Sequence, residues 1–171
     1  MTKAISGLQS GVDITAIQVA KKFNLETGGW MIRHFMTEDG PRPEYASLYG
    51  AQTVESNEYP VRTRLNVRDS DITIWFGGPS TRIEGITLED SPGYWCTLKA
   101  AESIGRPFLR ITGEPEHTPR AIADYLLYHG YNVVNFAGPR FSKAPELVPR
   151  VERFLTRMFT IMFREIDQCV K

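Results

Sequence analysis

Lys3-Ala4-Ile5-Ser6-Gly7-Leu8-Gln9-Ser10-Gly11-Val12-Asp13 reads as a short buried strand running into a glycine-containing loop and then a helix. From Val12 the apolar residues fall at Val12, Ala16, Val19, Ala20 and Phe23, the period of an amphipathic helix. Two glycines and two hydroxyls lie between strand and helix. Such a loop presents bare backbone N–H groups and the positive end of a helix to an anion. Ser10 and Asp13 also fit a capping box, Ser-x-x-Asp, which needs no ligand. Both readings stand on this segment alone.

The same alternation continues along the chain. Gly28-Gly29-Trp30-Met31 reads as a second strand, and residues 33–49, with Glu38-Asp39-Gly40-Pro41-Arg42-Pro43 inside, as a long loop. Loops of that length in a compact domain usually have a task. Asn57 to Asp69 is expected to be helical, with Pro60 in its first turn. Ile72-Thr73-Ile74-Trp75-Phe76, bounded by Gly77, is a β-branched and aromatic strand. A loop from Gly77 to Asp90 leads to Ser91-Pro92, an N-cap followed by proline at the first helical position. Gly105 ends that helix. Pro107 to Ile111 is a strand, Thr118-Pro119 starts a helix that Gly130 closes, Tyr131 to Phe136 is a fifth strand, and Glu146 to Ile166 a last helix. The order predicts a three-layer, Rossmann-like α/β/α fold with a parallel sheet of about five strands, in one domain over residues 1–171. Ligands of such sheets lie beyond the carboxyl ends of the strands. The loops carrying Ser6 to Ser10, Arg33 to Pro43, Gly77 to Gly93 and Ala137 to Pro145 all fall on that edge.

Composition bounds the function. Twenty acidic and twenty basic residues give a net charge of zero, which argues against a general nucleic-acid or membrane binder. No apolar run is long enough to span a bilayer. Cys96 and Cys169 have no metal-ligand or redox spacing, and His34, His117 and His129 are scattered, so no protein-bound metal is expected. A reducing, cytoplasmic setting is the default.

Five segments together carry a resemblance: Ser6 to Asp13; Gly28-Gly29-Trp30; Glu38-Asp39-Gly40-Pro41; Arg62-Thr63-Arg64-Leu65-Asn66-Val67-Arg68-Asp69-Ser70-Asp71; and Asn135-Phe136-Ala137-Gly138-Pro139-Arg140-Phe141-Ser142. A sixth, Ser91-Pro92-Gly93 with Thr97, opens a helix. In this order they resemble the putative molybdenum carrier (molybdenum cofactor carrier-like) family, within the lysine-decarboxylase-like Rossmann (SLOG) superfamily. Leu8 stands where that family usually has glycine. The resemblance implies an oligomeric Rossmann-like protein that binds a phosphate-bearing small molecule, either molybdenum cofactor or a nucleotide-derived ligand.

The expected ligand-binding residues are Ser6, Gly7, Gln9, Ser10, Gly11, Asp39, Arg68, Ser91, Gly93, Thr97, Gly138 and Arg140. Guanidinium groups suit bidentate phosphate contacts, and Asp39 or Glu38 could bind hydroxyls or act as a base. Asn66 could anchor either the loop or a ligand. Asp69 and Asp71 read as structural, and Trp30, Trp75 and Trp95 as core, although Tyr94 and Trp95, at a helix start beside the glycine loop, could stack on a planar ring.

Enzymatic relatives, nucleotide N-glycosidases and phosphoribohydrolases, carry Pro-Gly-Gly-x-Gly-Thr-x-x-Glu. Here Ala100 occupies the glutamate position, which leaves Asp39 and Glu102 as the catalytic candidates of an enzyme reading and favours a carrier or sequestering protein. Phe159 and Phe163, beside the apolar face Leu147, Val151, Phe154, Leu155, Met158, Met162 and Ile166, predict a homodimer or larger homo-oligomer through the last helix.

Overall fold

The computed structural model describes residues 1–77, 81–83, 86–88, 91–112 and 117–169, the side chains of 81–83, 86–88 and 165–169 excepted. The strands are β1 (Lys3–Ile5), β2 (Glu26–Met31), β3 (Met36–Thr37), β4 (Gly40–Pro41), β5 (Ala51–Thr53), β6 (Ile72–Phe76), β7 (Thr81–Ile83), β8 (Ile86–Leu88), β9 (Phe108–Ile111) and β10 (Val133–Ala137). The helices are α1 (Val12–Lys22), α2 (Tyr45–Tyr49), α3 (Tyr59–Arg68), α4 (Pro92–Ile104), α5 (Pro119–His129) and α6 (Leu147–Cys169).

Six strands form one parallel sheet in the order β5-β2-β1-β10-β6-β9. Helices α1, α5 and α6 pack together as one layer, and α3 packs on α4 in the other. The last strand, β10, therefore lies at the centre, between β1 and β6. Every residue of β6 is buried, as expected of a strand covered on both faces.

The sheet has one strand more than expected. Residues 33–49 are not a plain loop: a 3-10 turn (Arg33–Phe35), the β3–β4 hairpin and α2 precede the edge strand β5. Elements of two to five residues are too short to show a period. The local caps are where the sequence places them. Ser91 Oγ accepts from Tyr94 N (3.1 Å), Thr118 Oγ1 accepts from Ala121 N (3.2 Å), and Gly105 and Gly130 close α4 and α5 in the left-handed region. Within residues 77–90, β7 and β8 pair antiparallel; residues 78–80, 84–85 and 89–90 lie outside the described residues.

Helix α6 corrects a second expectation. Phe159 is fully buried, its ring centroid 5.5 Å from Phe23 and 6.1 Å from Phe136, and Phe163 stacks on Phe23 at 5.9 Å. The second apolar edge of α6 thus packs on the chain's own α1 and β10. The side chain of Ile166 lies outside the described residues. Trp95 is also not core: it is 42% exposed, whereas Trp75 is buried. No described helix is long and apolar enough to cross a membrane.

Candidate functional site

A cleft of about 770 Å³ opens where the loops after β1 and β10, the start of α4 and the start of α3 meet. That volume suits a nucleotide-sized molecule. It lies at the carboxyl ends of β10 and β6, where the strands diverge to opposite sides of the sheet, the usual ligand position in open α/β folds. Of the expected residues, Gly7, Gln9, Ser91, Gly93, Thr97, Gly138 and Arg140 line it.

The loop after β1 is built from within. Ser6 is buried; its Oγ donates to Asp13 O (3.1 Å) and accepts from Leu8 N (3.0 Å), so it shapes the turn. Leu8 adopts φ +48° and sends its side chain fully into the core, away from any ligand. The capping box does not form: Gly11 is the N-cap of α1 and no side chain caps it. Asp13 turns into the cleft floor instead, where its carboxylate faces Arg62 Nη1 at 3.4 Å and accepts the N–H groups of Gln9 and Gly138. Burial pushes the Asp13 pKa up, opposed by the Arg62 charge and those hydrogen bonds. The place an anion would take at this helix end is filled by the protein's own carboxylate. Arg62 lies so close over the loop that a Cβ on Gly7 would fall 1.2 Å from its Nη1.

The opposite wall is cationic. Arg140 stacks on the Tyr59 ring, 4.3 Å from its centroid, and Arg62 approaches the same ring at 5.6 Å. Arg140 and Lys143 have no ion-pair partner within 4.0 Å among the described residues. Gly93, second residue of α4, brings a first-turn N–H that has no acceptor within its own helix. Ser91 and Thr97 hold the helix start: Ser91 Oγ is the N-cap, and Thr97 Oγ1 donates to Gly93 O at 2.8 Å.

Four buried side-chain atoms of the described residues lack a protein partner: Gln9 Oε1, Arg62 Nε, Trp75 Nε1 and Asn135 Oδ1. All four belong to cleft residues. Each buried, unpaired polar group costs about 1–3 kcal/mol, so their gathering at one place marks a site organised for something other than stability.

The remaining expected residues lie elsewhere. Ser10, Gly11 and Asp39 line a second, smaller pocket of about 250 Å³ beside α1 and α2. Glu38 is a clamp: it accepts from Ser10 Oγ, from Ser142 N (3.1 Å) and from Ser142 Oγ (2.5 Å), tying three loops together. Partial burial raises its pKa, but the hydrogen bonds from Ser10 and Ser142 outweigh this and hold it below the ordinary value. Arg68 pairs with Asp69 (2.6 Å) at the far end of α3, outside both pockets. Glu102 is exposed in the last turns of α4, also outside them. Asn66 anchors β2, accepting from Trp30 N (2.8 Å) and donating to Trp30 O (3.0 Å). Asp71 accepts from Asn132 N and Val133 N, both at 2.8 Å. Asp13, Tyr59, Trp75 and Asn135 were not expected at the site. Asn135 sits within the Asn135-to-Ser142 segment singled out above, the one signal that could have found it.

The model of the circularly permutated YpsA SLOG family matches residues 4–159. A crystal structure from Syntrophus aciditrophicus SB, of a protein named a putative molybdenum carrier protein, aligns with a TM-score of 0.75 and 31% identity over 93% of this chain and 94% of that one. No curated protein matches. The topology gives permutation a physical meaning. Counted from β10, the strands run β10, β1, β2, β5 to one side and β6, β9 to the other, a doubly wound order whose switch point is the cleft.

Proposed function

Since this chain belongs to the circularly permutated YpsA SLOG family, we propose that it is a carrier or sequestering protein whose cleft holds an anionic, phosphate-bearing small molecule. One observation carries the reading: the cleft sets Arg62, Arg140 and Lys143 against a single carboxylate, Asp13, beside the α4 N-terminus. Neither Arg140 nor Lys143 has an ion-pair partner within 4.0 Å among the described residues, although Arg140 also acts on the nearby Glu38 carboxylate. The neighbour's name speaks of carrying molybdenum, and molybdenum cofactor is the phosphate-bearing form of such a cargo; a nucleotide-derived ligand fits the same charges and volume. We further propose a cytoplasmic setting and a homo-oligomeric assembly; Trp95 of α4, 42% exposed, is an apolar side chain that a subunit contact would cover.

Holding is favoured over cleaving because Asp39 and Glu102, the carboxylates of the hydrolase reading, lie outside the cleft, and Asp13 is already engaged by three donors. The test is to denature the purified protein and identify released small molecules by mass spectrometry, then to titrate molybdenum cofactor or its phosphate-bearing pterin and a nucleoside monophosphate panel into protein stripped of them. A phosphorylated heterocycle bound in an Arg140-dependent way, without release of free base, is the expected result. No co-purifying phosphorylated molecule together with no binding from the panel would sink it.

A further inference from the structure

The second pocket, of about 250 Å³, has the opposite chemistry to the cleft. One wall is the flank of α1 from Ser10 through Thr15 to Gln18; the other is the β3–β4 hairpin and the start of α2, with Thr37, Asp39 and Tyr45. Asp39 is the only charged lining residue. Its carboxylate is exposed, and among the described residues it has no ion-pair partner within 4.0 Å and accepts no hydrogen bond. Arg42 faces Glu44 at 3.9 Å and does not line the pocket. Three hydroxyls of the lining have spent their protons inward. Ser10 Oγ donates to the Glu38 carboxylate, Thr15 Oγ1 to Gly11 O (2.8 Å) and Thr37 Oγ1 to Gly40 O (2.8 Å). A carboxylate and a backbone carbonyl only accept, so these directions are fixed and each hydroxyl has only lone pairs left to offer. Two rings complete the lining, Tyr45 and Phe141, the latter 52% exposed. Burial raises the Tyr45 pKa, and the Asp39 carboxylate adds to it against Arg42, so charge and ring are neighbours.

A lining of acceptors, ring faces and one unpaired carboxylate is the complement of a cation rich in N–H donors. Carboxylates take guanidinium or ammonium groups in charge-assisted hydrogen bonds, and aromatic faces attract the same groups. An anion finds no cationic side chain here. The volume is below that of ordinary ligand pockets, which suits a short alkyl chain with one head group rather than a nucleotide. We infer that this pocket binds an organic cation of side-chain size, an alkylguanidinium or alkylammonium, whose charged head meets Asp39 and whose stem lies along Ile14 and Val148. Ser10 and Asp39, expected from the sequence at a phosphate site, then serve a ligand of the opposite charge. The inference stands independently of what the cleft holds.

Titration of the full chain at fixed ionic strength, followed by amide chemical shifts, tests it with four probes of one length: n-butylguanidinium, n-butylammonium, n-butanol and n-butyrate. At least one cation should saturate with a Kd below about 10 mM and bind about tenfold or more tightly than the alcohol and the carboxylate, with shifts centred on Gln18, Asp39 and Phe141. Asp39→Asn keeps the shape and removes the charge of an exposed side chain, and should weaken that cation about tenfold. Glu44→Gln removes a carboxylate outside the pocket and should change its affinity by less than about twofold. N-acetylarginine amide and N-acetyllysine amide then distinguish the sources: binding as tight as the simple cation assigns the site to a side chain of another polypeptide, and exclusion assigns it to a free small cation. Equal binding of butanol and the cations, saturation by none of the four up to about 100 mM, or an unchanged affinity in Asp39→Asn would overturn the inference. Each of those results leaves the phosphate reading of the cleft untouched.

Discussion

Gly11 is where the fold and the cleft depend on the same atom's absence. It sits at φ +83° and ψ −132°, a region close to one that essentially only glycine adopts. A Cβ there would fall 2.5 Å from Phe141 N and 2.7 Å from both Arg140 C and Pro139 O. These are backbone atoms, so they cannot swing aside as a flexible side chain would. To reach ordinary contact the loop after β10 must retreat from 2.5 Å to at least 3.4 Å. That retreat breaks Val12 N→Pro139 O and Phe141 N→Ser10 Oγ, both 3.3 Å. The conformation costs about 1–3 kcal/mol, and each lost hydrogen bond about 0.5–1.5 kcal/mol. Gly11→Ala should therefore destabilise by about 2–6 kcal/mol. Gly105 is the internal control: its φ is +74° and nothing lies within 4 Å of its notional Cβ, so Gly105→Ala should cost only about 1–2 kcal/mol. Urea unfolding of both variants measures the difference, and thermal melts should show roughly 2–4 °C lost per kcal/mol for a chain of this size. If the two variants agree within about 1 kcal/mol, the tight seating of the 138–141 loop on Gly11 is wrong.

Arg140→Ala should weaken binding of the phosphate-bearing ligand by about 1.5–3 kcal/mol at constant salt, with little loss of stability; calorimetric titration beside a thermal melt checks both, and an unchanged affinity refutes the role. For Glu38, the folded pKa lies below the ordinary 4.5, so its contribution is present above 4.5 and lost as pH falls through the lower folded value. Glu38→Gln should thus be less stable than wild type at pH 7, with the gap closing below about pH 4.5; a gap that does not change with pH would exclude the clamp. Phe159→Glu should unfold the chain rather than split an oligomer, since it puts a charge into the core; circular dichroism reads this. Light scattering should show an oligomer that Trp95→Glu dissociates; a mass of one chain for wild type at micromolar concentration would rule that assembly out.

What was legible in the sequence is what short-range chemistry fixes. Ser91-Pro92 and Thr118-Pro119 start helices because cap and first turn are neighbours in sequence, and Gly105 and Gly130 stop them for the same reason. The edge strand β5 was hidden because three residues carry no periodicity and its pairing partner is Gly29 to Met31, a segment far enough away to leave no local sign. Phe159 and Phe163 looked like surplus apolar area for a similar reason. Phe23, which covers both, sits at the end of another helix. An amphipathic face counted on one helix says how much must be covered, not by what.

The candidate site was legible as an edge, since the order of strands alone places the loops, but not as a charge arrangement. Asp13 in Ser-x-x-Asp reads as a cap, and only the approach of Arg62 and the Gly138 N–H makes it the floor of a cleft. At the α1 N-terminus the Asp13 carboxyl, held by the Gln9 and Gly138 N–H groups and facing Arg62, already takes the place of an anion. The cleft cations left for the proposed phosphate are Arg140 and Lys143, beside the start of α4. The glycine loop after β1 also serves the site through what it makes room for: Gly7 admits Arg62 and Gly11 admits the loop that carries Arg140, so the cations reach the cleft because those two positions have no side chain.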